Sequence, residues 1–599
     1  MFDKQGRYVI QNYQSRPPFS SFLPGIAGPL GVPVWCYYNN RGQCVCSFGA
    51  QDKEHAVMEF SPARQAYRDV ARTGFRTFCK VSGTYRELFT QSCDMHIGMG
   101  ELEITCEQDG LCASAAYFGV PGERTAALAR VLTVANTGEE PITLELLDGM
   151  PELVPYGVSH ENLKEMNNLV QAWMRVEDGS QGMACFRVRA SMEDTAQVSR
   201  VEGCNFCLAW DEGGTPLRPL VQPELVFGAD TSLAAAEGFA RAPLAQLRAA
   251  PQQTENRFPC CFLPKEAVLG PGEALCVYSL YGQAEDKGRV AALAGRISGG
   301  DWFEEKRRQA AALVEELCAP AACRTNHPVF DAYCRQTYLD NALRGGVPTF
   351  FQNGGKSVPF YLYSRKHGDP EREYNAFSLG GEYYAQGNGN FRDVNQNRRC
   401  DVLFAPRLGA ENIYTFFDLI QADGYNPLVL TASTYTLPEG ALPGILARAP
   451  EGRRDEAAQL LAKPFTPGAL AMAAEDWGME EGDALSLTAA AVCAADHEPN
   501  ADFKEGYWCD HWTYNLDLIE SYLAVYPEGE EELLFGERRC RWYESRAVVR
   551  PRVGRYHMTC NGLRQYGALD EEVKAGVDRK WALAGDGQAV STLIEKLLL

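Results

Sequence analysis

Long basic runs are missing from this 599-residue sequence. Its 57 lysines and arginines stand against 78 aspartates and glutamates, for a formal net charge of −21. A protein with that balance repels polyphosphate unless it carries a concentrated basic patch. Basic clusters are short: Arg398–Arg399 and Arg538–Arg539 are pairs, and the longest, Lys306–Arg308, is a triplet that follows two glutamates. We therefore expect no nucleic-acid partner.

Long apolar runs are missing as well. A membrane-spanning helix needs about 20 predominantly apolar residues, and no stretch of this sequence approaches that length. The first residues, MFDKQGRYVIQNYQSRPPF, lack the apolar core and the small-residue cleavage site of a secretory signal. The sequence therefore predicts a cytoplasmic protein without a membrane partner.

Metal-binding and nucleotide-binding motifs are also absent. The 8 histidines show no ligand spacing, and there is no Walker loop, G-x-S-x-G motif or dinucleotide fingerprint. The 21 cysteines are numerous but irregularly spaced, and Cys204-x-x-Cys207 has no second pair or nearby histidine to complete a zinc site. We predict no metal, no organic cofactor, and thiols that are reduced and mostly buried.

Two contrasting patterns fill the chain. From about residue 31 to 280, short β-branched or alternating runs are separated by turn residues, as in an antiparallel sandwich. After about residue 300, apolar residues recur at helical spacing in the segments 302–318, 327–346, 411–424 and 513–527. At this length two or more domains are expected. We predict a multidomain β + α fold, with a β-sandwich over 1–300, a helical linker over 301–326, and a helical toroid over 327–599. The toroid carries an insertion near 431–500 that has some helix of its own.

Aromatic, amide and carboxylate side chains are concentrated between Phe350 and Tyr526. Sugars carry hydroxyls on rings with apolar faces, so their sites combine amides, carboxylates and arginine with aromatic platforms. Residues 388–397 supply the polar half, and Trp508 and Trp512 are candidates for the platforms. The same composition also suits turns and aromatic gap-filling between helices. The stretch thus favours a carbohydrate site, with a purely structural role as the alternative.

Three of these segments resemble motifs of the cellobiose-phosphorylase type of inverting glycoside phosphorylases. GNFRDVNQNRRCDVLF (389–404) resembles the signature F-R-D-x-x-Q-D, and QADG (421–424) resembles Q-x-x-D-G. GYWCDHWTYNLDLIESYL (506–523) resembles the later stretch G-[FY]-x-D-D-x-L-W-L. PELVPYGVSHENLKEMNNL (151–169) is similar to the sandwich region of related β-glucan phosphorylases. All four stand in the family's order along the chain.

The resemblance implies both a fold and a reaction. The fold would be an N-terminal β-sandwich (supersandwich), a helical linker and an (α/α)6 barrel of the six-hairpin glycosidase type. The reaction would be phosphorolysis of a β-glucoside, such as cellobiose or a β-glucan oligosaccharide, to α-glucose 1-phosphate. A carboxylic acid would protonate the glycosidic oxygen while phosphate attacks the opposite face of the sugar. The implied partners are the β-linked gluco-oligosaccharide and inorganic phosphate as co-substrate, and a homodimer is left open.

Residue by residue, the resemblance implies a sugar-binding set. Arg392 and Asp393 match the family's Arg-Asp pair, in which the aspartate binds hydroxyls of the transferred sugar. Gln396 matches the next position, and Asn397 stands where the family has an aspartate, so that charge is lost. Asp510 matches one acid of the later motif. We predict that substrate is bound by Arg392, Asp393, Gln396, Asn397, Trp508, Asp510 and Trp512.

The general acid and the phosphate site lie further along the chain in that family, and no counterpart follows Asp510. The residues after Asn326 are too few for six helix pairs plus an insertion. The sequence also stops inside the uncapped apolar run STLIEKLLL. We therefore expect an incomplete barrel, with the general acid beyond Leu599 and Asp510 as the candidate within the chain. A glycoside hydrolase of the same barrel type and a non-catalytic carbohydrate-binding protein are the alternatives.

Overall fold

The computed structural model describes residues 2–178, 182–192, 196–197, 199–366, 370–371, 376–498, 500–502, 511–545, 547–565, 567–570, 581–582 and 588–598. The chain divides into two compact units. The first comprises Met1–Glu316 and Gly368–Glu382, and the second comprises Leu317–His367 and Tyr383–Leu599. The first is built mainly on β-sheets and the second mainly on helices, so the predicted multidomain β + α organisation is confirmed.

The strands of the first unit are β1 (Tyr8–Ile10), β2 (Ser20–Leu23), β3 (Trp35–Asn39), β4 (Val45–Gly49), β5 (Ala56–Met58), β6 (Arg76–Val81), β7 (Thr84–Glu87), β8 (Cys93–Ile97), β9 (Glu101–Gln108), β10 (Leu111–Gly119), β11 (Ala126–Asn136), β12 (Ile142–Met150), β13 (Met174–Asp178), β14 (Ala184–Val188), β15 (Cys204–Asp211), β16 (Cys261–Leu269) and β17 (Ala274–Ala284). Its helices are α1 (Ala63–Thr73), α2 (His160–Glu165), α3 (Pro223–Phe227), α4 (Glu237–Arg241), α5 (Leu244–Ala249), α6 (Lys287–Ala294) and α7 (Gly300–Cys318), the last ending just past the boundary.

A nine-stranded antiparallel sheet organises this unit, in the order β1-β8-β9-β10-β11-β17-β15-β14-β13. Two four-stranded sheets accompany it, in the orders β16-β12-β6-β7 and β2-β3-β4-β5. The central pair β11 and β17 runs in register from Ala126 opposite Gln283 to Ala135 opposite Ala274. Nearly every residue of β11 is buried, because both faces of the large sheet are covered.

A buried ion pair joins two of these sheets face to face. Arg130 of β11 and Asp148 of β12 are both fully buried, and Arg130 Nη2 lies 2.7 Å from Asp148 Oδ1. Arg130 also donates to the Tyr117 hydroxyl, and Thr77 donates to Asp148. Helices α3–α5 cover the other face of the sheet β16-β12-β6-β7. Helices α6 and α7 cover the nine-stranded sheet. The result is a sandwich with helices on its outer faces.

The second unit contains the helices α8 (Pro328–Gly345), α9 (Phe391–Arg398), α10 (Asp401–Phe404), α11 (Glu411–Asp418), α12 (Leu442–Leu446), α13 (Arg454–Leu461), α14 (Pro467–Asp476), α15 (Glu481–Ala494), α16 (His511–Val525) and α17 (Leu593–Leu598). Its strands form small ladders: β18 (Val347–Asn353), β19 (Lys356–Leu362), β20 (Gly389–Asn390), β21 (Val429–Leu430), β22 (Thr434–Thr436), β23 (Asp496–Glu498), β24 (Ala501–Asp502), β25 (Trp542–Tyr543), β26 (Val548–Val549), β27 (Tyr556–Thr559), β28 (Gly562–Gln565), β29 (Leu569–Asp570) and β30 (Trp581–Ala582).

Three of the predicted helices are confirmed, and the fourth needs correction. Helices α7, α8 and α16 match the segments 302–318, 327–346 and 513–527. The fourth helix, α11, ends at Asp418 rather than 424, because residues 421–425 close a separate turn in which Gly424 N–H bonds Gln421 O. The segment 431–500, expected to contain some helix, carries α12–α15. Alanine, the best helix former, shares the buried sides of α14 and α15 with larger apolar residues such as Leu470 and Leu487.

The helical toroid is not established by these elements. Among the residues described in the second unit, four helices reach ten residues, namely α8, α14, α15 and α16, and they are interspersed with two- and three-stranded ladders. The (α/α)6 barrel therefore stays a prediction. A search of the described helices finds none that has both the length and the apolar character needed to cross a membrane.

Candidate functional site

The strongest sequence motif lies at a strand-to-helix junction. Strand β20 pairs with β21, which in turn pairs with β24. Helix α9 begins at the next residue, Phe391, whose N–H donates to Leu428 O at 2.8 Å. Asn390 occupies the N-cap position in extended conformation. The small sheet therefore fixes the start of the helix that carries the motif.

Four predicted sugar-binding residues share one side of α9. Helical residues at positions i, i+1, i+4 and i+5 lie within one half of the helix surface, which groups Arg392, Asp393, Gln396 and Asn397. Arg392 and Gln396 are exposed, while Asp393 and Asn397 are half-buried. The structure thus brings these four side chains together on an accessible surface, called here the polar face of α9.

Local hydrogen bonds hold the carboxylate of this face in place. Asn390 Nδ2 donates to Asp393 Oδ2 at 2.9 Å, and Arg392 Nε lies 3.5 Å from Asp393 Oδ1. Asn397 Nδ2 donates at 2.6 Å to the main-chain oxygen of Asp393, so this amide nitrogen serves its own helix. Asp393 also stands in the first helical turn, where the helix dipole favours a negative charge.

The opposite side of α9 is buried and bound to α16. Asn395 Nδ2 donates to Asn515 Oδ1 at 2.6 Å, and both residues are inaccessible to solvent. His511 stacks on Phe391 with ring centroids 5.3 Å apart. Its Nδ1 lies 2.6 Å from Asn426 Oδ1. These contacts set the position of the third resemblance motif relative to the first.

Of the three predicted residues in that later motif, one lies within the described residues and two lie outside them. Trp512 is half-buried and meets Phe417 edge-on, with ring centroids 6.0 Å apart, at the margin of an apolar core. Trp508 and Asp510 lie outside the described residues. The structure therefore joins Arg392, Asp393, Gln396 and Asn397, and it places Trp512 beside the core that supports their helix.

The polar side chains of the QADG segment (421–424) are used within the fold. Gln421 Oε1 accepts from Ser545 N–H at 2.8 Å. Asp423 Oδ2 accepts from Val549 N–H at 2.7 Å. Gln421 is buried. Both side chains thus hold the 545–549 segment against the turn that follows α11.

A cavity of about 100 Å³ lies against the buried side of α9. Val394 and Arg398 supply the wall from the helix. The polar remainder comes from Ser364, Gln386, Glu411, Asn412, Thr431, Ser433, His497 and Asn500. All of these residues lie in the stretch between Phe350 and Tyr526 whose composition favours a carbohydrate site. Their grouping around one cavity was not predicted, because only the two α9 residues of this set belong to a motif.

Buried charge distinguishes this cavity from an ordinary core gap. Arg398 Nε donates to Gly345 O at 2.5 Å, Nη2 donates to Ser364 Oγ at 3.1 Å, and the guanidinium carbon lies 3.6 Å from the Tyr361 ring centroid. Burial lowers the pKa of Arg398. Burial also raises the pKa of the neighbouring Asp401 to about 7, despite Arg398 and a Tyr361 hydrogen bond that both favour its ionised form.

Comparisons with known proteins give distant structural matches only. No protein-family model and no curated protein matches the sequence. A bacterial glucoamylase complexed with acarbose is 11% identical, with a TM-score of 0.33, over 81% of this chain and 69% of that one. A putative kojibiose phosphorylase from the human microbiome is 8% identical, with a TM-score of 0.21, over 87% and 51%.

A polysaccharide lyase is 11% identical to the chain, with a TM-score of 0.23, over 42% of this chain. The match spans about a third of the lyase, 32% of its length. At this level of similarity the structural matches establish neither a fold family nor an activity.

Proposed function

We propose that the chain is a carbohydrate-active protein that binds a β-linked gluco-oligosaccharide on the polar face of α9. The observation that supports this proposal is the grouping of Arg392, Asp393, Gln396 and Asn397 on one accessible helix surface. A carboxylate accepts from two hydroxyls and a guanidinium donates to two more, so adjacent groups of these types suit vicinal hydroxyls. The bond from Asn390 orients the carboxylate before the sugar arrives.

The reaction we assign to this protein is inverting phosphorolysis. Phosphate oxygen forms a bond to the anomeric carbon while the glycosidic C–O bond breaks and an acid protonates the departing oxygen. The products are α-glucose 1-phosphate and a glucan shortened by one unit. Asp393 has a binding role in this scheme and holds the hydroxyls of the transferred glucose. Asp510 stays the candidate for the acid within the chain.

Binding is tested first, with Asp393→Ala titrated calorimetrically against cello- and laminari-oligosaccharides. We expect the variant to bind at least tenfold more weakly, because a charged hydrogen bond contributes roughly 1.5–3 kcal/mol. Asp455→Ala is the control, since Asp455 is likewise an acid in the first turn of a helix, α13, and its side chain is exposed. Equal affinities for Asp393→Ala and the wild type would contradict the assignment of the site.

The reaction is tested separately, by measuring the release of α-glucose 1-phosphate and of glucose from the oligosaccharide with and without phosphate. Formation of α-glucose 1-phosphate only in the presence of phosphate supports phosphorolysis. Equal glucose release without phosphate would identify a glycoside hydrolase instead. Binding that Asp393→Ala weakens, with no product under either condition, would identify a carbohydrate-binding protein without catalysis.

A further inference from the structure

An isolated β-hairpin projects its side chains into solvent from the second unit. Strands β27 and β28 pair with each other in register, Met558 opposite Leu563, and the described residues add no third strand to them. Met558 is 77% exposed and Leu563 is 56% exposed. Val553, just before the hairpin, is 88% exposed. Because cross-strand partners share a face, the hairpin presents an uncovered apolar side.

The same segment carries a concentrated positive charge. Residues 545–569 contain five arginines and no aspartate or glutamate, whereas the whole chain has a net charge of −21. On the hairpin itself, His557 stands opposite Arg564, on the side away from Met558 and Leu563. We call residues 550–565 the arginine arm. It combines an apolar side with a basic side in an otherwise strongly acidic protein.

A surface of complementary chemistry occurs elsewhere in the same unit. Residues 527–537, called here the acidic turn, contain five glutamates and no lysine or arginine. The glutamates are exposed, and Phe535 among them is 59% exposed. Of the two arginines that follow, Arg538 pairs with Glu595, and Arg539 pairs with Glu411 while also lying within electrostatic reach of Glu537. Among the described residues, the other four glutamates of the turn form no ion pair with these two arginines.

We propose that the arginine arm docks on the acidic turn of a second copy of this chain. Within one chain Met558 and Leu563 of the arm and Phe535 of the turn remain exposed, so neither surface covers these side chains of the other. A two-stranded hairpin alone is marginally stable in water, which favours a partner that covers its apolar side. A stable interface buries roughly 1,200–2,000 Å² in total. Reciprocal docking, with two arms on two acidic turns about a two-fold axis, doubles the area that one hairpin supplies.

The negative net charge of the rest of the chain favours a second copy as the partner of the arm over an anionic surface such as a phospholipid membrane. Outside residues 545–569 the chain carries a net charge of −26, which repels an anionic bilayer. The same charge attracts the arm of another copy. Association is therefore expected to weaken as salt screens the exposed charges, for which the Debye length is about 10 Å at 0.1 M.

Sedimentation velocity over a range of concentration and salt measures the association directly. We expect Arg552→Glu/Arg564→Glu to raise the dissociation constant at least tenfold at low salt, and Glu530→Arg/Glu531→Arg to do the same. An equimolar mixture of the two double variants should associate again, because each arm then meets a turn of opposite charge. Arg308→Glu is the matched control, since its side chain is 75% exposed in the first unit.

Cross-linking locates the contact. Cys560 is exposed at the tip of the hairpin, and a benzophenone maleimide attached there samples what the arm touches. The background carries Cys323→Ser and Cys400→Ser, which removes two other exposed thiols. In a mixture of ¹⁵N-labelled and unlabelled protein, we expect peptides that join Cys560 of one copy to residues 527–537 of the other.

The proposal is overturned if the wild type sediments as a monomer throughout at low salt. It is also overturned if the charge-swapped mixture fails to associate, or if cross-links between copies reach only other segments. Flotation of the monomer with phosphatidylserine vesicles, abolished by Arg552→Glu/Arg564→Glu, would assign the arm to a membrane instead.

Discussion

The substitution Asp401→Asn tests the buried charge beside the cavity. Asp401 is the first residue of α10, three positions after Arg398, and its Oδ2 is buried without a hydrogen-bond partner among the described residues. Loss of water disfavours the ionised carboxylate, and this raises the pKa of Asp401 from 3.8 to about 7. Asparagine has nearly the same shape and stays neutral, so the substitution removes the charge with little change in packing.

The magnitude follows from the linkage between protonation and folding. Because the pKa of Asp401 is higher in the folded protein, its contribution to stability is complete below pH 3.8 and is lost as pH rises through about 7. Each pH unit corresponds to about 1.4 kcal/mol. The wild type therefore loses about 4 kcal/mol of unfolding free energy over the full range, and about 3 kcal/mol between pH 5 and pH 8.

Urea denaturation at pH 5, 6, 7 and 8 measures this effect in the transition of the second unit. The unfolding free energy of Asp401→Asn relative to the wild type should increase by about 2–3 kcal/mol from pH 5 to pH 8. Asp455→Asn is the control, because Asp455 is exposed on α13 and its difference from the wild type should stay constant. A pH-independent difference for Asp401→Asn would refute the reasoning.

Two further predictions concern side chains that the fold uses internally. Asp148→Asn should lower the unfolding free energy of the first unit by about 3–5 kcal/mol, because it leaves the buried Arg130 charge uncompensated. Urea denaturation measures this loss, and a loss below about 1 kcal/mol would contradict the prediction. Asp423→Ala should increase hydrogen exchange at the Val549 amide, which loses its acceptor, and lower the unfolding free energy by about 0.5–1.5 kcal/mol. Unchanged exchange combined with weaker sugar binding would instead make Asp423 a substrate ligand.

Patterns confined to one helix or strand were readable from the sequence. Helices α7, α8 and α16 follow from apolar spacing and from the glycine or proline at the ends of the last two. The grouping of Arg392 with Gln396 likewise needs only the helical period, because residues four apart lie on the same side. Such predictions succeed when neighbouring residues decide the structure.

Features that depend on distant residues were not readable in this way. The end of α11 at Asp418 depends on the turn at residues 421–425, whose side chains hold the 545–549 segment. Some helix within 431–500 was expected, but its bounds were not, because the apolar pattern of this segment is weak and α15 packs against β18, which lies much earlier in the chain. In both places the deciding contacts lie far apart along the chain.

By itself the sequence determined the β + α division, the main helices and the polar face of α9, because composition and local period are sufficient for these. Only the tertiary structure decided which side of α9 faces solvent, and that Trp512 packs at the margin of an apolar core. It also assembled the cavity around Arg398 from segments between residues 358 and 500. Burial and hydrogen-bond partners are properties of chain segments brought together in space, and no local pattern in the sequence encodes them.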